Sequence, residues 1–123
     1  MARRTTFETV RKIGLTLPEV EESTTGGITS LKMRGKLLAW PAINKSAEPG
    51  SLAMRIDFDQ RDALIAEAPD IYYLTDHYVN FPVVLVRLSR IDSDQLRDLL
   101  QAGWKFVTAK LAASKKRTRK SKI

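Results

Sequence analysis

Four groups of residues in this chain carry side chains suited to chemistry or to binding. His77, the single histidine, stands in the run Thr75-Asp76-His77-Tyr78-Val79-Asn80-Phe81-Pro82. There an imidazole could act as a general base in a pocket or, with Tyr78 and Phe81, form a platform on which nucleobases stack. The competing expectation is the ordinary one for a turn histidine, a hydrogen bond to the backbone. Lys32, Arg34 and Lys36 alternate around Gly35, so a hairpin would display three cations on one exposed face of a two-stranded ribbon, able to follow phosphates or enter a groove. As a plain sheet edge, the same residues would discourage edge-to-edge pairing. Arg55 and Arg87 each interrupt an apolar run. On neighbouring strands they would present two guanidinium groups on an open sheet face for phosphate or carboxylate recognition; otherwise each pairs with a carboxylate such as Asp57 or Asp76. Finally, Lys115, Lys116, Arg117, Arg119, Lys120 and Lys122 put six cations and no acid into the last ten residues. Laid on a duplex, they would give a log-log salt slope of up to about five with little base discrimination.

Other chemistries are excluded or unsupported. With no cysteine, disulfides, iron-sulfur clusters, cysteine-based zinc sites and thiol mechanisms are ruled out. One histidine cannot build a multi-histidine metal centre. The serines lack a nucleophile elbow, and Gly26-Gly27 lacks the surrounding glycines and the Lys-Ser/Thr of a phosphate loop. The sequence therefore leads to a non-enzymatic protein with no catalytic residues, no metal site and no cofactor.

The net charge of +7 changes meaning once it is divided along the chain. Residues 1–113 carry 15 Lys/Arg against 14 Asp/Glu, so the excess sits almost entirely in residues 114–123. A segment that basic and that poor in apolar surface is expected to be disordered, which places a boundary near Ala113 between one folded domain, 1–113, and a tail. A composition of 43% hydrophobic and 28% charged residues is globular. No apolar run approaches the ~18 residues a membrane span needs, and the basic N-terminus lacks a signal-peptide core. The expected location is the cytoplasm, with no membrane attachment and a monomeric chain.

The elements that must position these residues follow from periodicity. Thr5-x-x-Glu8 resembles a capping box, and Phe7, Val10, Ile13 and Leu17 share one helical face before Pro18. Residues 19–27, acidic and then rich in Ser, Thr and Gly, read as a loop. Residues 28–33 and 36–43 form a hairpin around Arg34-Gly35. Leu52, Met54 and Ile56 alternate along a third strand. Asp57 or Asp59 caps a short helix ending before Pro69, and residues 71–74 form a short strand. Residues 83–88, apolar on both faces except at Arg87, form a central strand. Asp92 or Ser93 opens a final helix with a wide apolar stripe through Leu96, Leu100, Trp104 and Val107; Trp40 and Trp104 are assigned to the core. Without strict strand-helix alternation, this order gives an α+β domain, an antiparallel sheet with its helices mainly on one face.

Several of these motifs, in order, resemble the MmcQ/YjbR-like proteins: Leu-Pro-Glu-Val-Glu-Glu at 17–22, Leu-Lys-Met-Arg-Gly-Lys-Leu-Leu-Ala at 31–39, Met-Arg-Ile-Asp at 54–57, Tyr-Leu-Thr-Asp-His-Tyr at 73–78 and Val-Leu-Val-Arg-Leu at 84–88. Gly103-Trp104 stands where that family more often has Ala-Trp. The resemblance covers about residues 6–112 and implies a frataxin-like α+β fold with two hairpin wings. It also implies DNA as a partner, on an association made at the level of fold. The frataxin comparison raises iron binding too, but the first helix here carries Arg11 and Lys12 with only Glu8, and Glu19, Glu21 and Glu22 follow it in the presumed loop. The sequence thus leads to DNA binding by Lys32, Arg34, Lys36 and the tail. The alternative is a small-ligand or protein-interaction module on the sheet face around Arg55, His77 and Arg87.

Overall fold

Apolar side chains at every second position let the middle of the chain bury one face of a sheet, and the helical stripes supply the layer that covers it. A computed structural model describes the backbone of residues 5–121 and the side chains of residues 5–113. The elements run α1 (Phe7–Gly14), β1 (Val20–Thr25), β2 (Ile28–Met33), β3 (Lys36–Pro41), β4 (Ser51–Arg55), α2 (Phe58–Glu67), β5 (Tyr72–Tyr73), β6 (Val83–Arg87) and α3 (Ser93–Ser121). The six strands form one sheet in the order β1-β2-β3-β4-β6-β5, and every pairing is antiparallel. No helix among the described residues is long and apolar enough to cross a membrane.

The main core lies between the sheet and the helices. Leu31, Met33, Leu38, Leu52, Met54, Val84 and Val86 are buried there with Val10 of α1 and Leu96, Leu100 and Val107 of α3. Gly103 brings α3 close to the sheet, since a Cβ at this position would stand 2.7 Å from the Arg55 carbonyl oxygen. On the opposite face a smaller cluster of Ala53, Tyr78, Val83 and Leu85 packs with Trp40, Ala42, Ala47, Tyr73 and Leu74. These residues belong to strands and to the loops 42–50 and 74–82, so this face is covered by loops rather than helices.

Local chemistry accounts for the element ends. The capping pair at α1 is shifted by one residue from Thr5/Glu8: Thr6 is the N-cap and its N–H donates to Thr9 Oγ1 at 3.3 Å, while the Thr5 hydroxyl donates to the Ile91 carbonyl at 2.6 Å. Asp57 caps α2, accepting from the Asp59 and Gln60 amides at 3.0 and 3.4 Å. Asp92 and Gln95 form a reciprocal box at the start of α3, with bonds of 2.8 and 3.1 Å.

The loop expected over residues 19–27 is instead mostly strand. β1 pairs with β2 from Val20↔Met33 to Thr25↔Ile28, which leaves Gly26-Gly27 as a two-residue turn. Both glycines have positive φ, 59° and 80°, as a primed hairpin turn requires. β1 is an edge strand exposed along nearly all its length except Val20, so it has no apolar alternation, and turn geometry and backbone pairing determine it. Arg34-Gly35 makes the equivalent turn between β2 and β3, with φ of 51° and 82°. α3 is one helix whose bounds, Ser93–Ser121, cross Ala113, where the sequence places a boundary; Ala, Lys and Arg all favour helix. The side chains of Lys115, Lys116, Arg117, Arg119 and Lys120, and Lys122 altogether, lie outside the described residues.

Candidate functional site

Of the three cations of the hairpin wing, Arg34 is the one held in an ion pair. Arg34 grips Glu19 in a two-bond fork, Nη2 to Oε1 at 2.8 Å and Nε to Oε2, and this partner raises the arginine pKa through hydrogen bonding and charge. Glu19 and Arg34 are also the two non-glycine residues with positive φ among the described residues, 64° and 51°. Lys32 stands opposite Glu21 in the β1-β2 register. Arg11 on α1 donates to Glu8 at 2.9 Å and Glu22 at 2.8 Å. Glu19 and Glu22, raised by the frataxin comparison, are thus engaged by arginines.

Arg87 is committed as well, but to a partner other than the expected Asp57 or Asp76. Its guanidinium meets both Glu48 oxygens at 2.7 to 3.1 Å, donates to the carbonyls of Pro69 and Asp70 at 3.0 and 3.2 Å, and lies 4.3 Å over the Tyr73 ring. The Tyr73 hydroxyl in turn accepts from the Glu48 amide at 2.8 Å and bonds Ser51 Oγ at 2.5 Å. Arg87 therefore ties the loop before β4 to the sheet. Its hydrogen bonds pull the Glu48 carboxyl below the ordinary glutamate value. Arg55 and Arg87 do stand on neighbouring strands and on the same loop-covered face as Ala53, Val83 and Leu85, but they are not adjacent, because Arg87 lies opposite Ser51 and Arg55 opposite Val83. Four residues of strand, about 13 Å at the usual rise, separate them.

Arg55 and His77 share a cleft of 520 Å³ with Trp40, Ile43, Tyr78 and Phe81. Arg55 and Pro82 also line an adjoining cleft of 400 Å³ whose other walls include Lys36, Phe106, Lys110 and Ala113. Among the described residues, no acidic side chain lines either cleft. Arg55 Nε donates to the Leu37 carbonyl at 2.9 Å; among the described residues nothing accepts from its two terminal nitrogens. Lys110 lies 5.5 Å from the Phe106 ring centre. His77 makes an edge contact with Tyr78 at 4.7 Å and no hydrogen bond to a described residue, so the backbone bond expected of a turn histidine is not formed. By contrast, a recess of 540 Å³ between α2 and α3 is lined by Glu67 and Asp98, the wrong sign for a polyanion.

The loop that carries His77 and Phe81 is held from behind by Arg61. This α2 residue, only 7% exposed, donates through Nη1 to the carbonyls of Val79 and Phe81 at 3.0 Å each, pairs with Asp62 at 3.0 Å and stacks 4.8 Å over Phe58. Phe81 and Ile43 remain 56% and 69% exposed at the cleft mouth. Sequence reasoning found Lys36, Arg55 and His77 but missed Trp40, Ile43, Phe106, Lys110 and Arg61. The four-residue spacing of Phe106 and Lys110 was the available signal. It is hidden in a helix whose apolar stripe reads as core. Trp40 and Trp104 are half-buried rather than enclosed; Trp104 Nε1 donates to the Pro18 carbonyl at 2.8 Å.

Comparison with known proteins agrees with this architecture. Uncharacterized proteins Rv2570 of Mycobacterium tuberculosis (strain H37Rv) and Mb2600 of Mycobacterium bovis are each 36% identical over 83 residues, covering 56% of this chain and 64% of theirs. The chain thus spans a little under two thirds of the length of these curated relatives. The crystal structure of Deinococcus radiodurans protein DR2400, with family-model domain DUF419, matches with a TM-score of 0.68 at 20% identity, over 85% of this chain and 80% of that one, which is a likeness of fold. The YjbR family model matches residues 15–106, a span that holds the wing, the whole sheet, α2, Lys36, Arg55 and His77 and stops short of Lys110 and the basic terminus. This chain belongs to the YjbR family.

Proposed function

We propose that this protein binds DNA without catalysing a reaction on it. The phosphates are taken by the acid-free double cleft, through Lys36, Arg55 and Lys110, and by the basic segment that follows. The carrying observation is the contrast in pairing: Arg34 and Arg87 are neutralised by Glu19 and Glu48, whereas Lys36, Arg55 and Lys110 face a cleft with no carboxylate among the described residues. An unpaired cation keeps its hydration and its attraction for phosphate, and a paired one must first lose its partner. The hairpin tip is accordingly a weaker interface than its sequence implies, and of its three cations Lys36 is retained. Ala113 is among the residues lining the second cleft, and in sequence it is followed by the six cations of residues 114–123. In this reading His77, with its edge contact to Tyr78, is a surface for stacking rather than a base.

The test is fluorescence anisotropy of labelled DNA with the full chain across salt. Lys36→Glu combined with Lys110→Glu should weaken binding and lower the log-log salt slope by about two, one per lost phosphate contact. Lys32→Glu should leave binding nearly unchanged. Equal affinity and slope in the double variant would overturn the assignment. The second reading, a small anionic ligand in the same cleft, is favoured by the near-neutral charge of residues 1–113. It is distinguished by a thermal shift with nucleotides or phosphate that replacement of the tail cations leaves intact.

A further inference from the structure

The two halves of the double cleft differ in chemistry. The Lys36–Arg55–Lys110 half is cationic, and the half beside it is walled by the flat rings of Trp40, His77 and Phe81 with Ile43 at the mouth. Arg55 and Pro82 belong to both, so a ring in one half and a phosphate in the other would sit on adjoining surfaces. Phe81 and Ile43 are large apolar groups left more than half exposed. Phe81 is not loose: Arg61 fixes its own carbonyl and that of Val79 from behind. A pre-ordered, exposed aromatic beside unpaired cations is the arrangement that single-stranded nucleic acid uses, where stacking on rings supplies affinity that paired bases cannot give. A duplex keeps its base faces inside its own stack and presents phosphates and groove edges, which leaves the ring faces of this half without a stacking partner.

We infer that the preferred ligand is single-stranded DNA, with an unpaired base held among Trp40, His77 and Phe81 and its flanking phosphates on Arg55, Lys36 and Lys110. This rests on the DNA-binding reading above and names the form of the nucleic acid. Charge settles the occupant: an apolar peptide would find Arg55 and two lysines uncompensated, and a lipid surface would need a broad convex patch rather than a recess.

The experiment compares, by anisotropy with the full chain, an oligothymidine strand, the same strand annealed to its complement, and a strand of equal length with abasic sites. The intact single strand should bind tightest, and the abasic strand should fall toward the duplex. Phe81→Ala should weaken single-strand binding about 5- to 100-fold, the range expected for loss of one stacked base, with duplex binding unchanged. His77→Ala should act in the same direction, and Phe81→Trp should restore binding, which a folding defect would not allow. If the abasic strand binds as well as the intact one, or Phe81→Ala leaves the single strand unaffected, the base pocket is wrong. The DNA-binding reading still stands in that case if the Lys36→Glu, Lys110→Glu double variant loses the duplex. Failure of every DNA form to bind overturns both.

Discussion

At the scale of the residue, the deciding feature is which charges already have partners. Arg61 shows what a committed cation does here: it is buried and satisfies two carbonyls of the Val79–Phe81 turn. Arg61→Met should cost about 2–3 kcal/mol, because the carbonyls lose a charged donor that a methionine cannot replace. Urea unfolding should show a lower midpoint with an unchanged slope, and single-strand affinity should fall with it as Phe81 loses its support. Glu48 gives a pH dependence of definite sign. Its pKa is lowered in the fold by the Arg87 hydrogen bonds, so its stabilising effect is present above the ordinary glutamate range of about 4.3 and is lost as pH falls below it. Glu48→Gln should flatten this part of the acid limb in a thermal melt, and an unchanged limb would show that Glu48 does not drive it. Neither role was legible in the chain. Arg87 could be placed on its strand from the run Val83 to Leu88, but its partner is 39 residues away in a loop that no periodicity positions. Arg61 sits on a weakly amphipathic helix, and its carbonyl partners are 18 and 20 residues on.

At the scale of the element, the sheet and helices were readable wherever burial imposed a period. Leu52, Met54 and Ile56 announce β4, the run from Val83 announces a strand flanked on both sides, and Leu96, Leu100 and Val107 announce α3. β1 was not readable, because Glu21, Glu22, Ser23, Thr24 and Thr25 face solvent and only the paired glycines mark a hairpin. The site lies where two readable elements cross, and the crossing itself is carried by Gly103. An alanine there would put its Cβ 2.7 Å from the Arg55 carbonyl oxygen and 3.1 Å from Met54 Sδ. Backbone cannot yield as a side-chain tip can, so α3 would have to move away from β4. Gly103→Ala should therefore destabilise by about 1–3 kcal/mol despite the better helix propensity of alanine. It should also weaken DNA binding by parting Lys110 from Arg55. A rise in thermal midpoint would show that α3 can shift without cost.

At the scale of the whole molecule, the charge is divided between a balanced body and a concentrated end. Residues 1–113 hold 15 cations against 14 acids, and the remaining ten residues hold six cations alone. On the proposed reading, bulk attraction for a polyanion comes mainly from the end, and selectivity among polyanions comes from the cleft, where geometry rather than net charge decides. The two contributions separate by salt. Six released counterions give a slope of about four on a single strand and about five on a duplex, and three cleft cations add about two to three. Changing the six terminal cations to glutamine in the full chain should remove most of the slope and much of the low-salt affinity, yet preserve the preference for single strand over duplex. Phe81→Ala should do the reverse, keeping the steep slope while losing that preference. The measurement is anisotropy with both DNA forms at several salt concentrations. If the glutamine variant loses the preference along with the affinity, the basic end itself discriminates, and the cleft would be only a neighbour of the true interface.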